Sequence, residues 1–526
     1  MITFDFLDIS REICGNREAV VFEDRRYSYE ELYSRVCSVA LSMEKLGVRK
    51  GTKVGMLNVN CSEYVESYFA SSMLGAIFVP LNYRAKEEEL RYMINTAEIE
   101  LLLVGERYVD MVENVRDKLS TVRTYVGIGS GESHAFLSYE KLLIHDRPKV
   151  PVPESVEEDD VTVLMFTSGT TGRPKVVPLK HRSFVAYALT EAEPADPDRA
   201  EKCLLAVPFY HVMGFQSLLI SIYSGRTVVL MRQFETEEWF RIAEKEGIER
   251  TILVPTMLKR IVDEPNFSRY DLSSLRVITY GAAPMPFEVI KKAIEFFPSV
   301  SFFNGYGQTE TAATLTVLGP EDHRIVGTDE EKAKKWRRLK NSIGKPLPDV
   351  KVRIVGEDGS ILSPYEVGEI QVKGPRVMDG YWKDEQKSLK VLTEDGWLKT
   401  GDMGYVDEEG YLYITGRVDD LIIRGGENIS PEEVEGVINS HPKVEESAVC
   451  GVPDPEFGQQ PFAFCVLKKG EIADEDEIIE YCRERLSPFK RPRGVIFVDS
   501  LPRSPMGKIL RRKLVEEFER MKRKEG

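Results

Sequence analysis

The sequence contains no run of roughly 20 apolar residues, the length a helix needs to cross a bilayer. Its nearest approach, Ser67–Leu81, is broken by serines and a glycine and lies between Glu66 and Arg84. It reads as a buried helix running into a strand, and no integral membrane segment is expected. Cysteine is scarce: Cys14, Cys37, Cys61, Cys203, Cys450, Cys465 and Cys482 are scattered, odd in number, and form no Cys-x-x-Cys pair. That argues against a disulfide framework and for reduced, mostly buried thiols. The six histidines show no His-Glu-x-x-His spacing and no Cys/His cluster, which argues against a protein-caged zinc site. Positive charge is short as well. Set against 86 Asp and Glu, the 71 Lys and Arg leave a net charge of −15. Nucleic acid and anionic membrane are poor partners for such a chain, because phosphate backbones demand clustered cations. The opening MITFDFLDIS carries acids early and no basic segment, so no secretory signal is expected, and a cytoplasmic location is.

What is present describes a globular enzyme: 42% hydrophobic and 30% charged residues. At about 150 residues per domain the length allows three or four core-bearing units. Tyr29–Leu46 has an amphipathic helical pattern stopped by Gly47, Lys53–Leu57 and Ala76–Leu81 read as strands, and a helix starts at Glu87. The alternation resumes from Cys203 to about Ser301, with strands near Thr251–Val254 and Val277–Tyr280. Short β-branched strands separated by helices predict parallel sheets with crossover helices. After about Asn341 the texture changes. Lys351–Val355 and Gly368–Gly374 alternate in period two between glycine-rich turns, predicting a small antiparallel β-unit that ends near Gly416. The remaining residues, 417–526, predict an α+β unit with helices at Pro431–Ser440 and Asp474–Leu486 and strands at Val444–Val452 and Phe462–Leu467. Two charged segments, Asp329–Lys340 and the tail from Lys508 to Lys524, read as solvated.

Chemistry concentrates in a few segments. In Leu164–Lys175 an apolar strand runs into six consecutive small residues, Thr167, Ser168, Gly169, Thr170, Thr171 and Gly172, followed by Arg173, Pro174 and Lys175. Glycines allow close backbone approach, hydroxyls and amides donate, and the lysine supplies compact charge, which is what holding nucleotide phosphates requires. The spacing is not that of P-loop NTPases, since Gly169 and Gly172 stand three apart and no Ser/Thr follows Lys175. In Asn304–Glu310 a tyrosine lies between Gly305 and Gly307, free to lay its ring on a base, and Glu310 is a candidate Mg²⁺ ligand. Thr400-Gly401-Asp402 ends in a carboxylate able to accept both hydrogen bonds of a ribose diol, although alone it also reads as a surface turn. Gly416–Pro431 is polar and sits between two texture zones, as a hinge would. Lys508 follows a Pro/Gly-rich loop; a lone lysine there ordinarily serves solubility.

Together and in this order, these segments resemble the adenylate-forming superfamily of acyl-CoA synthetases, luciferases and peptide-synthetase adenylation domains, closest to medium/long-chain fatty acyl-CoA or coumarate-type CoA ligases. Thr167–Lys175 is similar to its T-S-G-T-T-G-x-P-K motif, Asn304–Glu310 to its Y-G-x-T-E motif, Thr400–Asp402 to T-G-D, Gly416–Pro431 to its hinge motif and Lys508 to its catalytic lysine. The resemblance implies an α/β fold. Its large N-terminal domain, 1–416, would hold two sheet-and-helix subdomains (about 1–165 and 166–340) and a small β-barrel (341–416). A mobile α+β lid, 417–526, would pivot at Asp419. It implies that a carboxylate and ATP give acyl-AMP and pyrophosphate, after which a thiol displaces AMP. Thr167 to Gly172 and Lys175 would wrap the triphosphate. Gly281, Ala282, Ala283 and Pro284 would line the adenine slot, with Asn304 edging the base and Tyr306 stacked on it. Thr309 would touch the α-phosphate, Glu310 would hold Mg²⁺, Asp402 and Arg417 would hold the ribose, and Lys508 would bridge carboxylate and α-phosphate.

The same resemblance puts His211, Met213, Gly214 and Gly305 at the acyl pocket, with His211 read alternatively as a hydrogen-bonded structural histidine. Acetate-activating relatives carry a tryptophan where Gly305 stands, so glycine implies an open pocket. A medium- or long-chain fatty acid is the expected substrate, and an aryl acid of the coumarate or benzoate type the second reading. Gly425 and Gly426 would let pantetheine slide along the backbone. The chain runs about eighteen residues past Lys508, so no fused carrier is expected and coenzyme A is the expected acceptor. Loading of a separate carrier protein is the alternative acceptor, and a catalytically dead binding relative the alternative class. ATP, Mg²⁺ and coenzyme A are thus the expected cofactors and co-substrates. Oligomeric state, monomer or homodimer, stays open.

Overall fold

Two β-sheets with crossover helices organise the first 339 residues. The computed structural model describes residues 1–129, 136–143, 155–167, 174–425, 427–503 and 509–525. By their contacts these fall into two compact units: 1–339 with 346–351 and 373–398, and 340–345 with 352–372 and 399–526.

In the first unit, the strands Lys53–Leu57, Ile77–Pro80, Leu101–Gly105 and Thr124–Ile128 pair in parallel, as the alternating pattern predicts. The helices between them begin and end on local signals. Ser28 accepts the Glu31 N–H at 3.2 Å while the Glu31 carboxylate accepts the Ser28 N–H at 2.7 Å, a capping box that starts helix Tyr29–Lys45. Gly47, at φ +94°, ends it. Helix Ser62–Met73 is buried all round and leads into Ile77–Pro80, the outcome expected for the most apolar stretch of the chain. The second sheet carries Lys202–Leu205, Thr227–Leu230, Arg250–Leu253, Val277–Gly281 and Ser301–Gln308, all parallel, and closes on antiparallel Ala313–Leu318. Lys202–Leu205 is flanked by Thr227–Leu230 on one side and Arg250–Leu253 on the other, so strand order reverses there. In open α/β sheets ligands bind beyond the carboxyl ends of strands at such a reversal.

The expected boundary near 165 does not separate the two sheets. It falls inside the strand Val161–Thr167, whose antiparallel partner Lys175–Lys180 stays with the first sheet because so short a connection can only return beside its own strand. Conversely, Glu18–Phe22 and Arg25–Ser28 belong to the second sheet, through parallel pairing with Thr227–Leu230.

The second unit does not begin at 417 either. Its strands Leu398–Val406 and Leu412–Arg417 pair with each other, and Leu412–Arg417 also pairs with Ser342–Pro346. Helix Pro431–Ile438 is anchored on the same strand, since Ser430 Oγ donates to the Thr415 carbonyl. A Cβ on Gly416 would lie 3.0 Å from both Ser430 Oγ and Glu432 Oε2, so a side chain there would crowd the start of that helix. Beyond it, Val444–Asp454 and Gly458–Leu467 form a long hairpin covered by Pro431–Ile438 and Glu475–Arg483.

Both charged segments are helices with one buried edge rather than wholly solvated ones. In Asp329–Asn341, Leu339 is buried and Arg338 pairs with Asp322 at 2.8 Å. In Arg511–Glu525, Leu514 and Phe518 pack with Phe464 and Leu501. All seven cysteines are buried and unbonded to one another. Among the described residues no helix is long and apolar enough to cross a membrane.

Candidate active site

Sheet register brings the sequence-selected residues together in pairs. Thr167 lies opposite Lys175 across the antiparallel hairpin. Gly281 lies beside Gly305, and Tyr280 beside Asn304, where the parallel pairing of their strands ends. Asp402 lies opposite Arg417, with Arg417 Nε 3.3 Å from Asp402 Oδ1. Ser168, Gly169, Thr170, Thr171, Gly172, Gly426 and Lys508 lie outside the described residues.

The Gly281–Gly305 contact explains two glycines differently. A Cβ on Gly281 would stand 2.2 Å from the Gly305 carbonyl oxygen, so the strands could not keep their spacing. A Cβ on Gly305 would meet only Thr314, at an ordinary 3.5 Å. Gly307 is the most confined, its Cβ position 1.5 Å from the Ala313 carbonyl oxygen. Behind Gly281, the buried Tyr280 hydroxyl contacts His323 Nε2 at 2.9 Å, and His323 Nδ1 faces the Gly319 carbonyl at 2.7 Å. A carbonyl can only accept, so Nδ1 carries the proton and Tyr280 donates to Nε2. Burial lowers the His323 pKa to about 4, which keeps the ring neutral at pH 7.

Three non-glycine residues next to these strands adopt left-handed backbone: Ala282 (φ +68°), Ala312 (+50°) and Ala313 (+86°). Each costs on the order of 1–3 kcal/mol and persists only where its surroundings dictate it. Ala282 follows Gly281 at the strand end, with Ala283 half-buried and Pro284 exposed. Ala312 and Ala313 close the turn Thr309–Thr311 that carries Thr309 and Glu310. Gln216 Nε2 holds that turn by donating to the Ala312 carbonyl at 2.9 Å.

Glu310 and Lys175 meet on a residue the sequence reading passed over. Tyr381 donates its hydroxyl to Glu310 Oε1 at 2.9 Å, and Lys175 Nζ approaches that hydroxyl at 3.5 Å and the ring centre at 5.0 Å. Gly380-Tyr381-Trp382 shows no spacing that marks chemistry; only tertiary packing brings it here.

Helix Val212–Tyr223 starts directly after His211, beyond the strand where sheet order reverses. A Cβ on Gly214 would sit 2.7 Å from the Pro208 carbonyl oxygen and 2.8 Å from that of Val207, so glycine lets the helix start against that turn. His211 and Met213 are half-buried at the same end. The helix is tied to Gly305 by way of Thr314, whose Oγ1 donates to Gln216 Oε1 at 3.3 Å. Under Thr314, the fully buried Arg376 donates to its carbonyl and to both oxygens of Asp349, with its guanidinium 5.0 Å from the Tyr187 ring centre. Gln216, Thr314 and Arg376 belong to no sequence motif selected above.

In the second unit, the buried Asp402 donates its N–H to Thr400 Oγ1 at 3.1 Å, and Gly401 is left-handed at φ +71°. Asp419 is exposed in the turn Val418–Asp420. Its neighbour Asp420 pairs with Arg511 at 3.5 Å, and Arg511 also binds Glu432 at 3.1 Å and Glu435. Gly425 is exposed and left-handed, at φ +59°.

Comparison with known proteins agrees with this arrangement over nearly the whole chain. The family described as AMP-binding enzyme matches residues 10–382, and the AMP-binding enzyme C-terminal domain matches residues 433–508. Indoleacetate–CoA ligase from Aromatoleum aromaticum is 34% identical over 506 residues, 96% of each chain. Long-chain-fatty-acid–CoA ligase from Bacillus subtilis is 33% identical over 530 residues, 95% of this chain and 92% of that one. The solved structure of ATP-bound MatB from Rhodopseudomonas palustris superposes with a TM-score of 0.86 at 27% identity, covering 98% of this chain and 99% of that one.

Proposed function

This chain belongs to the AMP-binding enzyme family, and on that premise we propose that it is an ATP-dependent acid–thiol ligase that makes an acyl-CoA through an acyl-adenylate. The observation that carries the reading is the placement of a cation, Lys175, and a carboxylate, Glu310, on one tyrosine, with Thr167 opposite Lys175 in the same hairpin. That arrangement suits a polyanionic substrate brought in with a divalent ion. Mg²⁺ takes one or two protein carboxylates and completes its shell with phosphate oxygens and water, so a single Glu310 is a fitting donor. Bound there, the ion neutralises phosphate charge.

In the first half-reaction a carboxylate oxygen attacks the α-phosphorus, the α–β bridging P–O bond breaks, and pyrophosphate leaves. Two anions must meet, so the protein's task is positioning and charge neutralisation, and no general base is needed because the nucleophile is already ionised. Lys175 would hold the departing phosphates, Thr309 the α-phosphate, and Lys508 the attacking carboxylate. Tyr306 and the strand end from Gly281 to Pro284 would take the base with Asn304, and Asp402 with Arg417 the ribose. In the second half-reaction a thiol sulfur attacks the acyl carbon, the carbonyl C–O bond to AMP breaks, and the thiol proton leaves to solvent. Lys508 has no part in that step, which is the reason for a lid, residues 417–526, turning at the exposed Asp419. Gly425 and Gly426 would border the pantetheine.

For the acid we propose a medium- or long-chain fatty acid. The open position beside Gly305, tied to the His211–Gly214 end of helix Val212–Tyr223 by the Thr314–Gln216 hydrogen bond, supports a long acyl pocket. A cytoplasmic setting is part of the same proposal. Pyrophosphate release with fatty and aryl acids, each with and without coenzyme A, tests it. Octanoate or longer acids should give pyrophosphate and, with coenzyme A, thioester. Preference for cinnamate-type acids replaces the fatty substrate, adenylate without thioester points to a carrier protein, and silence with every acid removes the enzyme reading.

A further inference from the structure

We propose that Tyr381 is a positioning residue that keeps Lys175 and Glu310 apart, so that the ammonium stays available to phosphate and the carboxylate to a divalent ion. The inference rests on the function proposed above and adds a residue to its site. Lys175 and Glu310 have opposite charge and different tasks. At a few ångströms in a half-buried setting opposite charges attract far more strongly than in water, because the surroundings screen them less. Left alone, they would pair, and each would be withheld from its ligand.

The structure separates them with one side chain. The Tyr381 hydroxyl donates to Glu310 Oε1 at 2.9 Å, which fixes one carboxylate oxygen and leaves the other lone pairs free. The Tyr381 hydroxyl oxygen accepts from Lys175 Nζ at 3.5 Å, and the ring centre lies 5.0 Å from the ammonium, within cation–π range. Tyr381 itself is immobilised from three sides. Its N–H donates to Ser388 Oγ at 2.9 Å. One residue on, the Trp382 N–H donates to the Val176 carbonyl at 2.9 Å, anchoring the segment beside Lys175. Three residues back, the Met378 N–H donates to the Glu310 carbonyl at 2.9 Å, anchoring it beside Glu310. The backbone of the segment is thus held at Val176, next to Lys175, and at Glu310 itself. Tyr381 is also buried, 7% exposed, so its hydroxyl does not simply exchange these partners for bulk water.

The test is calorimetric titration of ATP into the full-length protein, with EDTA and with Mg²⁺, for wild type, Tyr381→Phe, and Tyr381→Phe combined with Glu310→Gln. Phenylalanine keeps the ring and the backbone bonds. The expected result is a loss of about tenfold or more in ATP affinity with EDTA for Tyr381→Phe, because Glu310 then captures Lys175. The double variant should recover that affinity, since a neutral amide does not hold an ammonium; recovery also shows that the fold is intact. Unchanged ATP affinity in Tyr381→Phe, or a loss that Glu310→Gln does not relieve, overturns the spacer role. A wild-type protein that binds ATP under neither condition overturns the functional reading instead.

Discussion

Replacing Gly305 by tryptophan should shorten the range of acids the protein accepts without unfolding it. Of the three glycines in the central strands, a Cβ on Gly307 meets a backbone oxygen at 1.5 Å and one on Gly281 at 2.2 Å, and neither can be accommodated. At Gly305 the nearest atoms are Thr314 Cγ2 and Oγ1, both at 3.5 Å, an ordinary contact. An indole leaving that point occupies space equivalent to about four methylenes of a bound acyl chain. At about 0.8 kcal/mol per buried methylene, four are worth about 3 kcal/mol, or about 200-fold in kcat/KM for octanoate. Acetate, which never reaches that space, should lose little, so the octanoate-to-acetate ratio is the quantity to read. Initial rates of pyrophosphate release give the ratio, and calorimetric MgATP binding controls for the nucleotide site. An equal fall for both acids, or octanoate turnover at the wild-type rate, would refute the assignment of Gly305 to the acyl pocket.

Lys508→Ala should abolish adenylate formation while sparing thioester formation from supplied acyl-adenylate; equal loss of both steps in single-turnover assays would count against a lysine used only in the first. Arg376→Met leaves the Asp349 carboxylate without the guanidinium that covers it, and breaking such a pair costs about 3–5 kcal/mol. A denaturant midpoint equal to that of the wild type would remove Arg376 from the structural account of the Gly305 wall. His181 and His323 are both buried, and burial holds each near pKa 4, below the unfolded value of about 6.5. The unfolded chain therefore binds more protons between those values. Stability is complete above about pH 6.5 and lost towards pH 4, by up to about 3 kcal/mol per ring. Thermal melting from pH 7.5 to 4.5 should show a shallower decline in His181→Gln with His323→Gln than in the wild type, and parallel curves would contradict this account.

Much of the fold was legible because strand signals here are local. Lys53–Leu57 and Lys351–Val355 have the same limits in sequence and structure, since short apolar-rich runs between turn residues need no distant information. The nucleotide-type motifs were legible for a related reason: close backbone approach requires small residues in unbroken order. Sheet membership was not legible. Glu18–Ser28 reads as part of the first subdomain yet pairs with Thr227–Leu230 far along the chain, and Val161–Lys180 spans the expected boundary. The charged tail looked solvated because Leu514, Val515, Phe518 and Met521 are outnumbered by charges in its helix, but Leu514 and Phe518 fall on one helical face and meet a hydrophobic patch. Tyr381 was invisible for a stronger reason, since its partners Lys175 and Glu310 lie 206 and 71 residues away.

The amino-acid sequence by itself determined the family, the alternation of strands and helices, and the residue types at the site, because glycine spacing, a lysine at the end of a small-residue loop and a lone carboxylate are chemical requirements written in linear order. Tertiary structure alone decided which of those residues face each other. Register set Thr167 against Lys175, Gly281 against Gly305 and Asp402 against Arg417. Packing inserted Tyr381 between two opposite charges. Those outcomes depend on long-range contacts, whose energies belong to pairs of segments and are absent from either segment read alone.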